Sequence, residues 1–134
     1  MSLGRIFAIA TVGVLIGFSL VGCTRHLTND RLTGEYRVSG DWGRSVLILN
    51  PDGTFAQKLF TRGKDIKSIE GKWRVLDNDS HAYTRVIAFQ PFINMVADQM
   101  GAIAPSATCT VEAVGFRSVW IDVDNDAGTT YKKW

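Results

Sequence analysis

Apolar and polar residues alternate with a period of two along most of the chain beyond residue 32, the pattern of strands with one buried face and one wet face. A first strand is expected over 33–38, with Tyr36 and Val38 on one side. Residues 45–49 are a dense apolar run, which predicts a strand buried on both faces. Asn50-Pro51-Asp52-Gly53 then breaks the run. Pro pre-sets φ and Gly accepts a positive φ, so this is a strong turn signal and the return strand 54–60 completes a hairpin. Phe55 and Leu59 share its inner face.

The same pattern continues. Residues 66–76 place Trp73 and Val75 together, 77–80 form a polar turn, and 81–89 align Tyr83, Ile87 and Phe89. Arg85 interrupts that face, which puts it near an open end. Cys109, Val111 and Ala113 alternate with Thr108, Thr110 and Glu112, and Val119, Ile121 and Val123 follow on a further strand. Residues 125–128 turn the chain into a final strand over 129–134. About eight short strands at regular spacing predict an all-β fold, a small antiparallel meander or barrel.

One segment departs from alternation. Phe92, Met95, Val96, Gln99 and Met100 recur at helical spacing between Pro91 and Gly101, which predicts a short helix or plug segment near 91–101. Plugging one end of the sheet is the plain role for it. A lid over a ligand cavity and a partner-binding surface are the alternatives.

The N-terminus follows a different rule. Arg5 precedes an uncharged run from Ile6 to Val21, about 16 residues where a bilayer span needs about 20. The run ends in Leu20-Val21-Gly22-Cys23. This stretch resembles the lipobox of bacterial lipoproteins. The resemblance implies a signal peptide over 1–22, cleavage between Gly22 and Cys23, and a covalent lipid on Cys23. An uncleaved helical anchor is the alternative, and either tethers the rest of the chain to a membrane. Thr24, rather than Asp, follows the cysteine. In the lipoprotein pattern that implies the outer membrane of the cell envelope, facing the periplasm. Residues 23–32 read as a lipidated tether whose polar part, 24–32, lacks periodicity and reaches at most about 30 Å, and 33–134 as the folded domain.

Of the 15 Lys and Arg residues only Arg5 precedes Cys23, so the remainder is near neutral against 13 Asp and Glu. No strong field exists to gather nucleic acid, which is not an expected partner. The two cysteines are Cys23 and Cys109. Acylation of the first leaves the second without a disulfide partner, so stability must come from packing.

The domain also resembles the lipocalin-like envelope domains of bacteria. The likeness rests on Leu32-Thr33-Gly34-Glu35-Tyr36, on the run from Leu47 to Phe55 with its Asn-Pro-Asp-Gly-Thr-Phe hairpin, and on Gly71-Lys72-Trp73. Tyr36 stands where lipocalins carry Trp. The resemblance implies a meander of strands and names no ligand.

Candidate chemistry is sparse. Asp122, Asp124 and Asp126 alternate like a calcium loop, but Ala127 stands where an EF-hand needs Gly and Lys133 where it needs Glu. His26 and His81 have no metal-ligand spacing, so no metal is expected. Cys109 sits in an alternating strand and reads as a small core residue. No nucleophile elbow, phosphate loop or carboxylate pair appears, so no catalytic residue and no cofactor beyond the Cys23 lipid is expected. Trp42, in the Gly-rich stretch 40–43, is a candidate for touching a ligand or partner. So are Tyr36, Trp73 and Tyr83, whose faces would line a cavity with Phe55 and Phe89. Lys58, Lys72 and Arg74 on the outer faces argue against a lipid-facing barrel wall, despite the terminal Trp134. The expected function is therefore binding: of a small hydrophobic ligand or envelope component, or, with a filled core, of a protein as an inhibitor, immunity or envelope-stress module.

Overall fold

Alternation closes the sheet on itself. The computed structural model describes residues 27–63, 66–76, 84–95, 99–114, 118–124 and 129–134. A single helical turn, α1 (Asn29–Leu32), precedes β1 (Gly34–Gly40), β2 (Gly43–Leu49), β3 (Thr54–Thr61), β4 (Ile66–Val75) and β5 (Thr84–Gln90). Two short strands, β6 (Phe92–Ile93) and β7 (Ile103–Ala104), come next, followed by β8 (Ala107–Val114), β9 (Ser118–Asp124) and β10 (Thr129–Lys133). Eight strands form a closed antiparallel barrel in the order β1-β10-β9-β8-β5-β4-β3-β2, and β6 pairs with β7 apart from it. Closure gives every strand a neighbour on each side, so none is left as an edge strand.

The inner face is one continuous core. Tyr36, Leu47, Leu49, Phe55, Leu59, Ile87, Phe89, Val111, Ile121 and Tyr131 are all buried within it. Phe55 meets Phe89 edge-on at 5.1 Å between ring centroids, and Phe89 meets Phe92 at 5.0 Å. Strand β2 differs from the expectation of burial on both faces. Ser45, Leu47 and Leu49 are buried while Ile48 is exposed, because every barrel strand has a wet outer side.

The hairpin at 50–53 forms as its residues demand. Gly53 takes φ +84°, and Asn50 and Gly53 close the turn through main-chain bonds of 2.9 Å (Asn50 N to Thr54 O) and 3.2 Å (Gly53 N to Asn50 O). The Thr54 amide and hydroxyl both donate to Asp52, which holds this exposed carboxyl below its ordinary range. Trp73 then fastens the turn to β4: its main-chain N–H reaches Gly53 O at 2.9 Å and its indole N–H reaches Asn50 O at 3.0 Å.

Both mouths of the barrel are stoppered. At one mouth Leu27 and Leu32 are fully buried, although the sequence pattern leaves them in a polar tether. Three inward-facing side chains take the carbonyls of this segment. Tyr36 donates to Leu32 O at 2.6 Å, Arg85 to Leu27 O at 2.7 Å and Lys133 to Arg31 O at 2.5 Å. An isolated helical turn is unstable in water; the bonds to Arg31 O and Leu32 O occupy carbonyls left open at the end of α1, and the bond to Leu27 O holds the residues before it.

At the other mouth the 91–101 segment is a plug, as expected, and its described ends pair as a hairpin. Asn94 N donates to Ala102 O at 2.8 Å and Gly101 N to Asn94 O at 2.9 Å, extending the β6–β7 pairing. Phe92, Ile93 and Met95 are fully buried. Consecutive burial of Phe92 and Ile93 fits a chain wrapped by barrel wall, not a helix with one apolar stripe. Val96 lies outside the described residues.

Candidate functional site

The proposed cavity residues are core residues. Tyr36 is fully buried, burial drives its phenol well above the ordinary range despite the opposing charge of Arg31, and its hydroxyl is committed to Leu32. Trp73 is nearly buried and committed to the hairpin turn. Phe55 and Phe89 pack on each other. Trp42 is half-buried and packs against the core cluster, and its carbonyl accepts the Arg62 N–H at 3.0 Å. Tyr83, Gly22, Cys23, His26, His81 and Asp126 lie outside the described residues.

The interior also holds a polar network that the sequence pattern does not mark. Gln57 and Ser45 are fully buried among apolar neighbours. Ser45 Oγ lies 2.7 Å from Lys58 O and 2.6 Å from Tyr131 Oη. Gln57 Nε2 donates to Tyr131 Oη and to Ile93 O, both at 3.1 Å, and Gln57 Oε1 accepts the Ile93 N–H at 2.8 Å. Burial pushes the Tyr131 phenol up to about 12, against the bonds from Ser45 and Gln57 that favour its ionised form. Among the described residues no buried side-chain polar atom lacks a partner. Such a network stabilises one packing of the interior; it offers a ligand nothing unpaired to bind.

Cys109 is a free, buried thiol pushed up to about 12, first by burial and then by the charge of Asp122. A thiolate at neutral pH is strongly disfavoured there, which fits packing rather than nucleophilic chemistry. Asp122 itself accepts the Thr130 hydroxyl at 2.7 Å. No group of three or more potential metal ligands occurs among the described residues.

An open feature lies on the outer wall. A groove of about 750 Å³ runs over β1, β2, β9 and β10. Its walls pair cations with aromatic rings: Arg37 stands 3.9 Å over Trp134, Arg44 4.6 Å over Phe60, and Lys132 4.6 Å over Trp120. Such stacking holds long side chains in place while leaving their donors available. Among the described residues Glu35 is the one acidic side chain lining the groove, and it is paired with Arg37 at 2.7 Å. Cross-strand register explains the grouping. Val46 faces Arg37, Arg37 faces Lys132, and Lys132 faces Trp120, forming one outward row across four strands.

The groove follows a gap in the barrel wall. Strand β1 makes seven residue pairs with β2 but only two with β10, Tyr36–Lys133 and Arg37–Lys132. The Trp134 amide adds one bond to Glu35 O at 2.9 Å. Glu35 and Arg37 therefore aim their main-chain groups at β10, and alternation aims those of Ser39 the same way. Continuing the register would set Ser39 opposite Thr130, yet pairing among the described residues stops before them. A bulge between β9 and β10, where the register shifts between Thr129 and Thr130, bends β10 at this height. The groove is lined by Ser39 and Thr130 and reaches inward to Val38 and Ser45.

Sequence reading missed this site because its parts come from opposite ends of the chain. The exposed Trp134 was its one visible signal. No protein-family model, curated protein or solved structure matches the chain.

Proposed function

We propose that this chain is a lipid-anchored cell-envelope protein whose barrel binds a protein partner through its outer wall. The supporting observation is the contrast between a stoppered, hydrogen-bonded interior and an open cationic-aromatic groove outside. Carriage of a small hydrophobic ligand needs lumen space, and Leu32, Phe92 and Ile93 occupy the places where it would enter. The anchor rests on the lipobox-like Leu20-Val21-Gly22-Cys23, and Thr24 favours the outer membrane, facing the periplasm. No catalytic step, metal or cofactor beyond the Cys23 lipid belongs to this reading.

On this reading the barrel lies close to the bilayer. Since Leu27 is already core, only Thr24, Arg25 and His26 separate it from the acylated residue. Four extended residues reach about 14 Å. The mouth closed by α1 then faces the membrane, and the groove opens on the flank.

Radiolabelled palmitate incorporation in wild type and Cys23→Ser tests the anchor. Label lost with the substitution supports it, and equal membrane retention without label points to an uncleaved helix. Native mass spectrometry of the full chain released from detergent tests the outer-wall reading. A mass free of bound lipid or metabolite is expected, and a stoichiometric hydrophobic adduct that survives release contradicts it.

A further inference from the structure

We infer that the gap between β1 and β10 is a docking slot for an extended acidic polypeptide segment, which binds by adding a strand to the barrel wall. The inference rests on the outer-wall reading and names the partner's chemistry. Two observations carry it independently.

The first is main-chain geometry. Ser39 and Thr130 lie where the next rung of the β1–β10 ladder would form, and that rung is missing. Each strand is fully formed on its other side, β1 against β2 and β10 against β9. This open rung presents main-chain groups of both strands to one groove, where an extended peptide can pair with them, its main chain supplying affinity and its side chains specificity.

The second is charge. Arg37, Arg44 and Lys132 border the slot, each held over an aromatic ring, while the one acidic side chain lining it among the described residues is spent on Arg37. The chain as a whole carries only +2, so the concentration of positive charge is local. Fixed guanidinium groups donate directional hydrogen bonds to carboxylates. Alternate side chains of an added strand point outward toward these cations and inward toward Val38. An alternating sequence of acidic and β-branched residues satisfies both sides.

The test uses the full chain in neutral detergent micelles and a blocked octapeptide alternating Glu and Val. The peptide should bind and slow hydrogen exchange at the amides of Ser39 and Thr130. Methylating the peptide nitrogens that face the slot removes the pairing but keeps the charge, and should weaken binding at least tenfold. A Lys-Val octapeptide should not bind. Arg44→Gln combined with Lys132→Gln should weaken the acidic peptide at least tenfold and flatten its salt dependence.

Equal binding of the methylated peptide would overturn strand addition, since charge alone would then hold the ligand. Protection of Ser39 and Thr130 in the free chain would show a closed wall. Protection that grows with protein concentration alone would assign the slot to a second copy of this chain. Binding to phosphatidylglycerol vesicles but not to the peptide would assign the patch to the membrane. Each of these results sinks the acidic-segment proposal and leaves the outer-wall reading standing. A hydrophobic adduct in the mass spectrum sinks that broader reading instead.

Discussion

Gln57 pairs with the main chain of Ile93 as a strand residue would, accepting its N–H at 2.8 Å and donating to its carbonyl at 3.1 Å. A side chain of the barrel wall thereby supplies the hydrogen bonds that the plug hairpin needs in a site closed to water. Replacing it with Leu keeps the volume but orphans both Ile93 groups and removes one donor from Tyr131. Each buried unsatisfied group costs about 1–3 kcal/mol, so Gln57→Leu should lose about 2–4 kcal/mol. Urea unfolding measures this, and hydrogen exchange at Ile93 should accelerate in parallel. A loss below about 0.5 kcal/mol would mean that the plug is not held by Gln57.

Gly71 tests how closely β4 and the end of β5 approach. A Cβ there would lie 2.2 Å from Gln90 O and 2.8 Å from a Phe55 ring carbon. Neither neighbour is a flexible side-chain tip, so Gly71→Ala should cost about 3 kcal/mol or more. Gly63→Ala meets no atom within 4 Å but keeps φ at +95°. It should cost only the strain of that conformation, about 1–2 kcal/mol. Similar losses in the two variants would show that β4 shifts to relieve the contact.

The elements readable from the chain were those whose chemistry is local. Asn50 to Gly53 encodes its turn within four residues, and alternation alone places Tyr36, Phe55, Ile87 and Phe89 inside. Gln57 was illegible because its partner lies 36 residues away. Arg85 read only as a break in an apolar face, since the carbonyl it binds belongs to the segment before β1. Helical spacing in 91–101 was real as a pattern. Its described ends are a short strand pair instead, because Phe92 and Ile93 are buried side by side inside the barrel, where no polar face is needed. The gap between β1 and β10 depends on how the first and last strands of the barrel meet, which no local pattern records.

Alkaline pH should destabilise the barrel through its buried acids. Burial, with Asp122, raises Cys109 from 9.0 to about 12, and burial raises Tyr131 from 10.0 to about 12; Tyr36 moves the same way. Unfolding lets these groups ionise near their ordinary values, so the unfolded state releases protons that the folded state keeps. Their stabilisation is complete below pH 9 and is lost as pH rises from about 9 toward 12. Lys133 acts in the opposite sense, because burial and Arg31 lower it and the fold disfavours its charged form. The three acids outnumber it. Melting temperature should be flat from pH 7 to 8.5 and fall above 9, and Cys109→Ala should delay the onset toward 10. A flat profile to pH 11 would show that these groups ionise freely in the fold.

Leu27 and Leu32 decide where the folded domain begins. Residues of a solvated tether tolerate truncation with changes within about 0.5 kcal/mol. Fully buried leucines cost about 2–5 kcal/mol when cut to Ala, according to how far the site collapses. Both are fully buried, so Leu27→Ala and Leu32→Ala should each fall in the second range. Tyr36→Phe removes the 2.6 Å bond to Leu32 O and should cost about 1–2 kcal/mol. Leu32→Ala and Tyr36→Phe hold the same helical turn, so the double variant should lose less than the sum of the two. Strict additivity in thermal or urea melts would mean that the turn does not act as one unit. Trypsin offers a second readout at Arg31, whose carbonyl is held by Lys133. Cleavage there should be slow in the wild type and fast in Leu32→Ala. Equal, rapid cleavage in both would return 27–32 to the tether and move the start of the barrel to β1.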